Sequence, residues 1–433
     1  MTNQSKTKVL LKGPILSRSG YGEQARFALR ALRSEPDLYD IHIIPTSWGQ
    51  TSWIPEDTEE RRFINDGVRK HLNFIDIKPL RHYDLSLQVT IPNEFERLSP
   101  LHVGYTAGIE TDAISTQWAR KCNEMVDKII VVSAHSKKVM EDACFTASRP
   151  GEDLGAPIVE EFDYQITTPI TAVGYPVRQY DTSIDLGLGK AITTSFNFLC
   201  VAQMGPRKNL PDTIKWFVEE FHDDDVGLIV KTNLAKNCEI DRRLVNDHLS
   251  GEILSQYPSR KCKVYLLHGD MTNEEMGSLY ADEHVHAFVC LSHGEGFGLP
   301  FFEAAYSGIP VVTVDYSGQR DYLRDENDNA HFYQVSYELA PVQPECVWEG
   351  VIESHSRWAF PTEMSSKEQM RLCYEDVIKN EGIAAKCGDY AHELRERYEE
   401  TKMYEEFLRA LDPQYKIEEK YDKFLEFLDD EED

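Results

Sequence analysis

No stretch of the chain comes near the roughly 20 consecutive apolar residues that a membrane-crossing helix needs. Positive charge is scarce as well. Its 433 residues carry 46 Lys and Arg against 74 Asp and Glu, a formal net charge of −28. Coating nucleic acid non-specifically takes a basic face that neutralises phosphates, so this balance argues against that role, while leaving room for a small local basic groove. Paired cysteines are missing too. None of the nine falls in the C-x2-C spacing of a zinc knuckle or redox pair, and their number is odd. Cys200 and Cys290 lie in apolar runs as buried, reduced thiols, which fits a reducing cytoplasm. There is no repeat at solenoid spacing and no low-complexity segment. Met1–Lys8 is polar and runs into a short apolar strand, unlike a signal peptide.

What is present is a globular composition, 41% hydrophobic and 11% aromatic. The length allows two domains or three. Short apolar runs, read as strands, recur at Lys8–Leu11, Ile41–Pro45, Leu85–Gln88, Val103–Tyr105 and Lys128–Val132. A second series follows at Phe198–Ala202, Val226–Lys231, Lys263–Leu267, Ala287–Cys290 and Pro310–Val314. Amphipathic stretches such as Gly22–Ser34, Thr116–Val126, Leu210–His222 and Asn273–Tyr280 separate them. Alternating strands and helices predict an α/β fold with parallel sheets covered on both faces. Two series predict two doubly wound, Rossmann-like domains facing a cleft, at residues 1–177 and 178–397, joined near Thr171–Arg178. Arg149–Thr168 reads as an acidic, irregular surface excursion. After Pro361 the chain reads as helical throughout. Its last 43 residues, which end in a frayed acidic tail, hold sixteen acids and seven bases.

The chemistry concentrates in Ser292–Val312, SHGEGFGLPFFEAAYSGIPVV. This segment follows an expected strand, and its glycines let a ligand approach the main chain. The helix it opens offers unpaired N–H groups and a partial positive charge to a phosphate. Glu295 and Glu303 flank the turn, where each can accept from sugar hydroxyls. A second loop, Ala202–Leu210 (AQMGPRKNL), carries Arg207 and Lys208 after a strand.

These two segments resemble the donor site of the retaining GT-B glycosyltransferases of glycosyltransferase family 4, with its E-x7-E motif. The resemblance implies the GT-B fold and sugar transfer from a nucleotide diphosphate donor, UDP being the commonest, with no metal or other cofactor. It assigns Glu295 to the hexose, Glu303 to the ribose, and the backbone of Gly296, Phe297, Gly298 and Leu299 to the sugar and diphosphate. Lys208 takes the position of the family's lysine on the diphosphate, where a cation stabilises the charge that builds on the leaving group. The usual arginine position holds Gln203, and Arg207 is the candidate to replace its charge, although adjacent residues rarely point the same way. The resemblance further places Gly20, in the loop Leu16–Glu23, near the donor phosphate and Met271, in Gly269–Thr272, near the base. Lys231–Asn233 lies at another strand end in the cleft. Helices from about 398 to 433 would cross back to the N-terminal domain.

Many relatives have a His after the strand matching Val103–Tyr105; here Glu110 or Asp112 is the alternative. His135 reads as structural. Asp223–Asp225 and Asp325–Asp328 read as solvated turns, and Arg395 and Arg397 as a solvated helix face. Ile91–Glu94 with Tyr105–Glu110 resembles segments of phage glycosyltransferases. That raises hydroxymethylated phage DNA as acceptor, provided Arg18, Arg26, Arg30 or Lys137–Lys138 form a basic patch. A glycan, lipid or small-molecule hydroxyl is the alternative, and a non-catalytic sugar-nucleotide binder is a third reading. The resemblance implies front-face displacement, in which the donor phosphate takes the acceptor proton and no protein nucleophile is used.

Overall fold

The computed structural model describes residues 6–77, 83–150 and 159–415. The N-terminal domain is built from β1 (Thr7–Gly13), α1 (Gly20–Arg33), β2 (Tyr39–Pro45), α2 (Glu59–Ile77), β3 (Leu85–Val89), β4 (Leu101–Thr106), α3 (Thr116–Met125), β5 (Lys128–Val131), α4 (Ala134–Asp142), a hairpin of β6 (Cys144–Pro150) and β7 (Val159–Gln165), and β8 (Ile170–Ala172). Its sheet runs β2-β1-β3-β4-β5-β8, all parallel.

A second six-stranded parallel sheet follows. Its elements are β9 (Phe196–Val201), α5 (Leu210–Glu220), β10 (Val226–Thr232), α6 (Glu239–Asp247), β11 (Lys263–His268), α7 (Asn273–Ala281), β12 (Ala287–Val289), α8 (Leu299–Tyr306), β13 (Val311–Val314), α9 (Arg320–Leu323) and β14 (Tyr333–Val335). The order is β11-β10-β9-β12-β13-β14. An antiparallel hairpin, β15 (Tyr337–Pro341) and β16 (Arg357–Pro361), precedes α10 (Glu363–Lys379), α11 (Cys387–Arg397) and α12 (Glu400–Leu411).

Local chemistry explains these elements. The inner strands are apolar on both faces because helices cover both, as the alternating neighbours Val9 and Leu10, and Leu228 and Ile229, show. Ser19 caps α1 by accepting from Gly22 N, with Glu23 in the first turn and Arg30 and Arg33 in the last. Thr272 and Glu275 form a capping box on α7. The segment expected to be irregular contains a hairpin instead. Its paired positions Phe145–Tyr164 and Ala147–Phe162 carry a period-two pattern that the surrounding acids obscure. Residues 151–158 and 416–433, which include the acidic tail and the second part of the helical stretch expected over 398–433, lie outside the described residues.

The chain returns to the first domain at its end. Val177 N donates to Tyr398 O at 2.8 Å where the two connections pass. Helix α12 then lies on α1, with fully buried Phe407 edge-on to Phe27 at 5.1 Å and beside Tyr105 at 5.1 Å. Tyr39 also donates to Asp412. Truncating Phe407 to Ala should therefore cost about 3–5 kcal/mol. Urea unfolding of the full chain, followed by circular dichroism, measures it.

Candidate active site

The loop between β12 and α8 meets the turn after β9 at the C-terminal ends of neighbouring strands. Glu295 is 4% exposed. Its Oε1 lies 2.5 Å from Lys208 Nζ and its Oε2 3.1 Å from an Arg207 guanidinium nitrogen, which also donates to Gly294 O at 2.6 Å. Burial alone would raise this carboxyl; the two cations bring it down to about 2. Arg207 and Lys208, though adjacent, converge because they sit in one tight 3-10 turn, Pro206–Lys208. Their long side chains reach different oxygens of the same carboxylate.

Arg207 also faces the other domain, its Nε 3.4 Å from Glu110 Oε1. Asp112, the alternative, is held elsewhere: its carboxylate accepts from Arg357 N at 2.6 Å and Nε at 2.7 Å. The domains approach closely here. A Cβ on Gly294 would lie 2.3 Å from Glu110 O, and one on Gly296 2.5 Å from Ala107 O, so only glycine admits this contact. Gly298 heads α8 with φ +89. The Tyr322 hydroxyl donates to Phe297 O (3.0 Å) and Gly298 O (2.7 Å), and the first-turn N–H groups of α8, from Leu299 on, have no carbonyl one turn back within the helix. The Phe297 ring packs on Tyr175 at 5.0 Å.

Glu303, farther along α8, has a different environment. Burial raises its carboxyl to about 7, the Tyr280 hydroxyl opposes the rise and Glu23 adds to it. Among the described residues no Lys or Arg pairs with it. Gln203 does not join the cluster; it is exposed and donates to Leu234 O at 2.6 Å. Met271 O accepts from Arg18 at 2.9 Å, so the first loop of one domain touches the β11–α7 loop of the other. Lys231 Nζ donates to Gly269 O in that same loop. Gly20 is exposed with open space around it, whereas a Cβ on Gly22 would lie 1.9 Å from Ser17 O.

His293 and Ser317 escaped sequence reasoning. Ser317 Oγ accepts from Glu295 N at 2.8 Å. His293 stands inside the glycine-rich motif, but a lone His gives no signal of its role before its partners are known. His135 Nε2 donates to Thr111 O at 3.2 Å, and burial lowers the ring to about 4.

The candidate basic patch is neutralised. Arg18 pairs with Glu56, Arg26 with Glu23, Arg30 with Glu23 and Glu60, Lys137 with Glu141 and Lys138 with Asp142. Asp325 organises its own turn by accepting from the backbone of Asn327 and Asn329. Asp224 pairs with Arg371. Arg397 is not simply solvated: it donates to Asp321 O at 2.7 Å.

Glu303 yields a pH test. Its folded value, about 7, exceeds the ordinary 4.5, so its stabilising neutral form is fully present below 4.5 and is lost as pH rises through 7. Glu303→Gln should match the parent melting temperature at low pH and exceed it at about pH 8. Thermal melts across that range check it.

Comparisons with known proteins follow the same geometry. Residues 257–340, spanning β11 to β15, match the family model for Glycosyl transferases group 1. The serotype-specific mannosyltransferase WbdA of Escherichia coli is 31% identical over 126 residues, 29% of this chain and 14% of WbdA, so the match spans a small part of that relative's length. HepE of Anabaena, solved in complex with UDP and glucose, superimposes with a TM-score of 0.56 at 12% identity, covering 94% of this chain and 99% of HepE. Sucrose-phosphate synthase of Thermosynechococcus elongatus gives 0.59 at 11% identity, covering 93% and 98%. Two facing parallel-sheet domains, the crossing helix and these neighbours make the architecture a GT-B fold, with the segment that matches the glycosyl transferases group 1 in its C-terminal domain.

Proposed function

We propose that this chain is a retaining glycosyltransferase of the family 4 type that moves a sugar from a nucleotide diphosphate, UDP-sugar first among the candidates, to a hydroxyl acceptor. The observation that carries the reading is the buried Glu295 carboxylate, held ionised by Lys208 and Arg207 beside the N-terminus of α8. A carboxylate in that state accepts from hydroxyls of the transferred sugar. The two cations and the backbone from Gly296 to Leu299 are placed to meet the charge that develops on a departing diphosphate. Arg207 stands in for the arginine that Gln203 replaces.

Glu303 takes the ribose, with Met271 near the base and Gly20 at the open start of α1 near the phosphate. Glu110 occupies the place of the missing histidine, against Arg207. Domain closure excludes water, and no protein nucleophile is needed if the donor phosphate takes the acceptor proton. That HepE binds UDP and glucose supports a UDP-sugar donor. The pairing of Arg18, Arg26, Arg30, Lys137 and Lys138 with carboxylates favours a glycan or small-molecule hydroxyl over DNA, because these five cations already have anionic partners.

A panel of nucleotide sugars should raise the melting temperature selectively, since a ligand that binds the folded state stabilises it by mass action. Glu303→Ala should weaken nucleotide binding, and Glu295→Ala should lower turnover, by about a hundredfold or more. Proton NMR of the product should show the donor's anomeric configuration. Unchanged kinetics in both variants, or an inverted product, would overturn the assignment.

A further inference from the structure

Histidine 293 lies between two parts of the molecule that share no sequence motif. It is 3% exposed. Its backbone N–H donates to Arg207 O at 2.9 Å, which fixes the turn that carries the cation. Its Nδ1 donates to Ala359 O at 2.7 Å, and its Nε2 accepts from Gln343 Nε2 at 3.0 Å. This pattern defines the neutral tautomer, and burial, with Arg207 adding repulsion, lowers the ring's pKa to match. The ring stacks on fully buried Trp358 at 5.3 Å and 15°, and Ala359 N donates back to His293 O at 2.9 Å.

Gln343, Trp358 and Ala359 belong to the β15–β16 hairpin and the connection 342–356 that leaves it. That connection is an arm of the donor domain that seats on the other domain. Val351, 4% exposed, enters the N-terminal cluster of Ile109, Ile114 and Trp118. Ser115, the N-cap of α3, donates from Oγ to Gly350 O at 2.9 Å. Asp112 N donates to Arg357 O at 2.9 Å, beside the carboxylate contacts already described. A continuous path therefore runs from the N-terminal domain through the arm to His293 and on to Arg207.

We propose that His293 is a positioning residue for Arg207, and that through it the seated arm makes the second diphosphate cation dependent on domain closure. Gln203 explains why such a device is needed. The family's arginine would be fixed by its own strand end, whereas Arg207 sits in a short turn and needs external bracing. Lys208 points to the same carboxylate from the same turn, but it is Arg207 whose carbonyl is clamped. The inference rests on the reading of Arg207 as a diphosphate ligand.

The test compares UDP with UMP, since the β-phosphate is what separates them. Calorimetric titration of the full chain gives the ratio of the two affinities. Arg207→Ala should reduce that ratio by about tenfold, the size of a charge-assisted contact. His293→Ala should reduce it several-fold with UMP affinity unchanged, and His293→Asn, which keeps a donor for Ala359 O, should recover most of it. Val351→Ser, which loosens the arm far from the nucleotide, should lower the ratio in the same direction. In the double variant His293→Ala/Arg207→Ala the ratio should equal that of Arg207→Ala alone. An unchanged ratio in Arg207→Ala overturns the diphosphate assignment and the inference with it. A reduced ratio there with an unchanged ratio in both His293 variants overturns the inference alone. Equal losses of UDP and UMP affinity, or additive losses in the double variant, also overturn it, because they mark a purely structural histidine.

Discussion

A buried carboxylate facing two cations is the constraint around which the rest of the molecule is arranged. Removing an ionised group such as Glu295 from water is unfavourable unless opposite charge and hydrogen bonds replace the lost hydration. Lys208 and Arg207 supply the charge, and Ser317 fixes the backbone from which the carboxylate projects. The two cations come from the turn after β9, the carboxylate from the loop after β12 and Ser317 from the chain after β13, so the cluster exists only when β9 and β12 lie side by side and the chain after β13 folds back over them. The cations are not fully spent on Glu295. Arg207 keeps a face toward Glu110 in the opposite domain, which links the two domains across the cleft.

Domain contact is the second consequence. Gly294 and Gly296 let the carbonyls of Glu110 and Ala107 come within reach of the glycine-rich loop, and any side chain there would wedge the domains apart. Helix α12, the hinge contact between Val177 and Tyr398, and the arm seated through Val351 hold the same two bodies together at other points. A closed cleft with low dielectric strengthens every interaction within it, so architecture and electrostatics act together. The contrast between the two glutamates follows from this. Glu295 has cations and is held down to about 2, while Glu303, half-buried without them, is pushed up to about 7 by desolvation.

Much of this arrangement was legible before any coordinates. The strands Lys8–Leu11, Phe198–Ala202 and Val226–Lys231 are recognisable because an inner parallel strand must be apolar on both faces, and that leaves an unbroken run. Glu295, Lys208 and Arg207 stood out because charged and glycine residues cluster after such runs. The β6–β7 hairpin was hidden, because polar alternation on an exposed ribbon resembles an acidic loop. Gln203 held the motif position and yet turned outward to Leu234, while its neighbours by four and five residues took the site.

Sequence by itself determined the alternation of strands and helices, hence two parallel sheets, and the glycine-rich turn with its two glutamates. These depend on local rules: periodicity, capping and backbone freedom act within a few residues. Only the tertiary structure decided that Arg207 and Lys208 share one carboxylate, that Glu110 rather than Asp112 meets Arg207, and that His293 joins the arm to the turn carrying Arg207. Those facts depend on distances between residues as much as 245 positions apart, as Asp112 and Arg357 are. No local pattern encodes such distances, because they are set by how two folded domains and an intervening arm pack against one another.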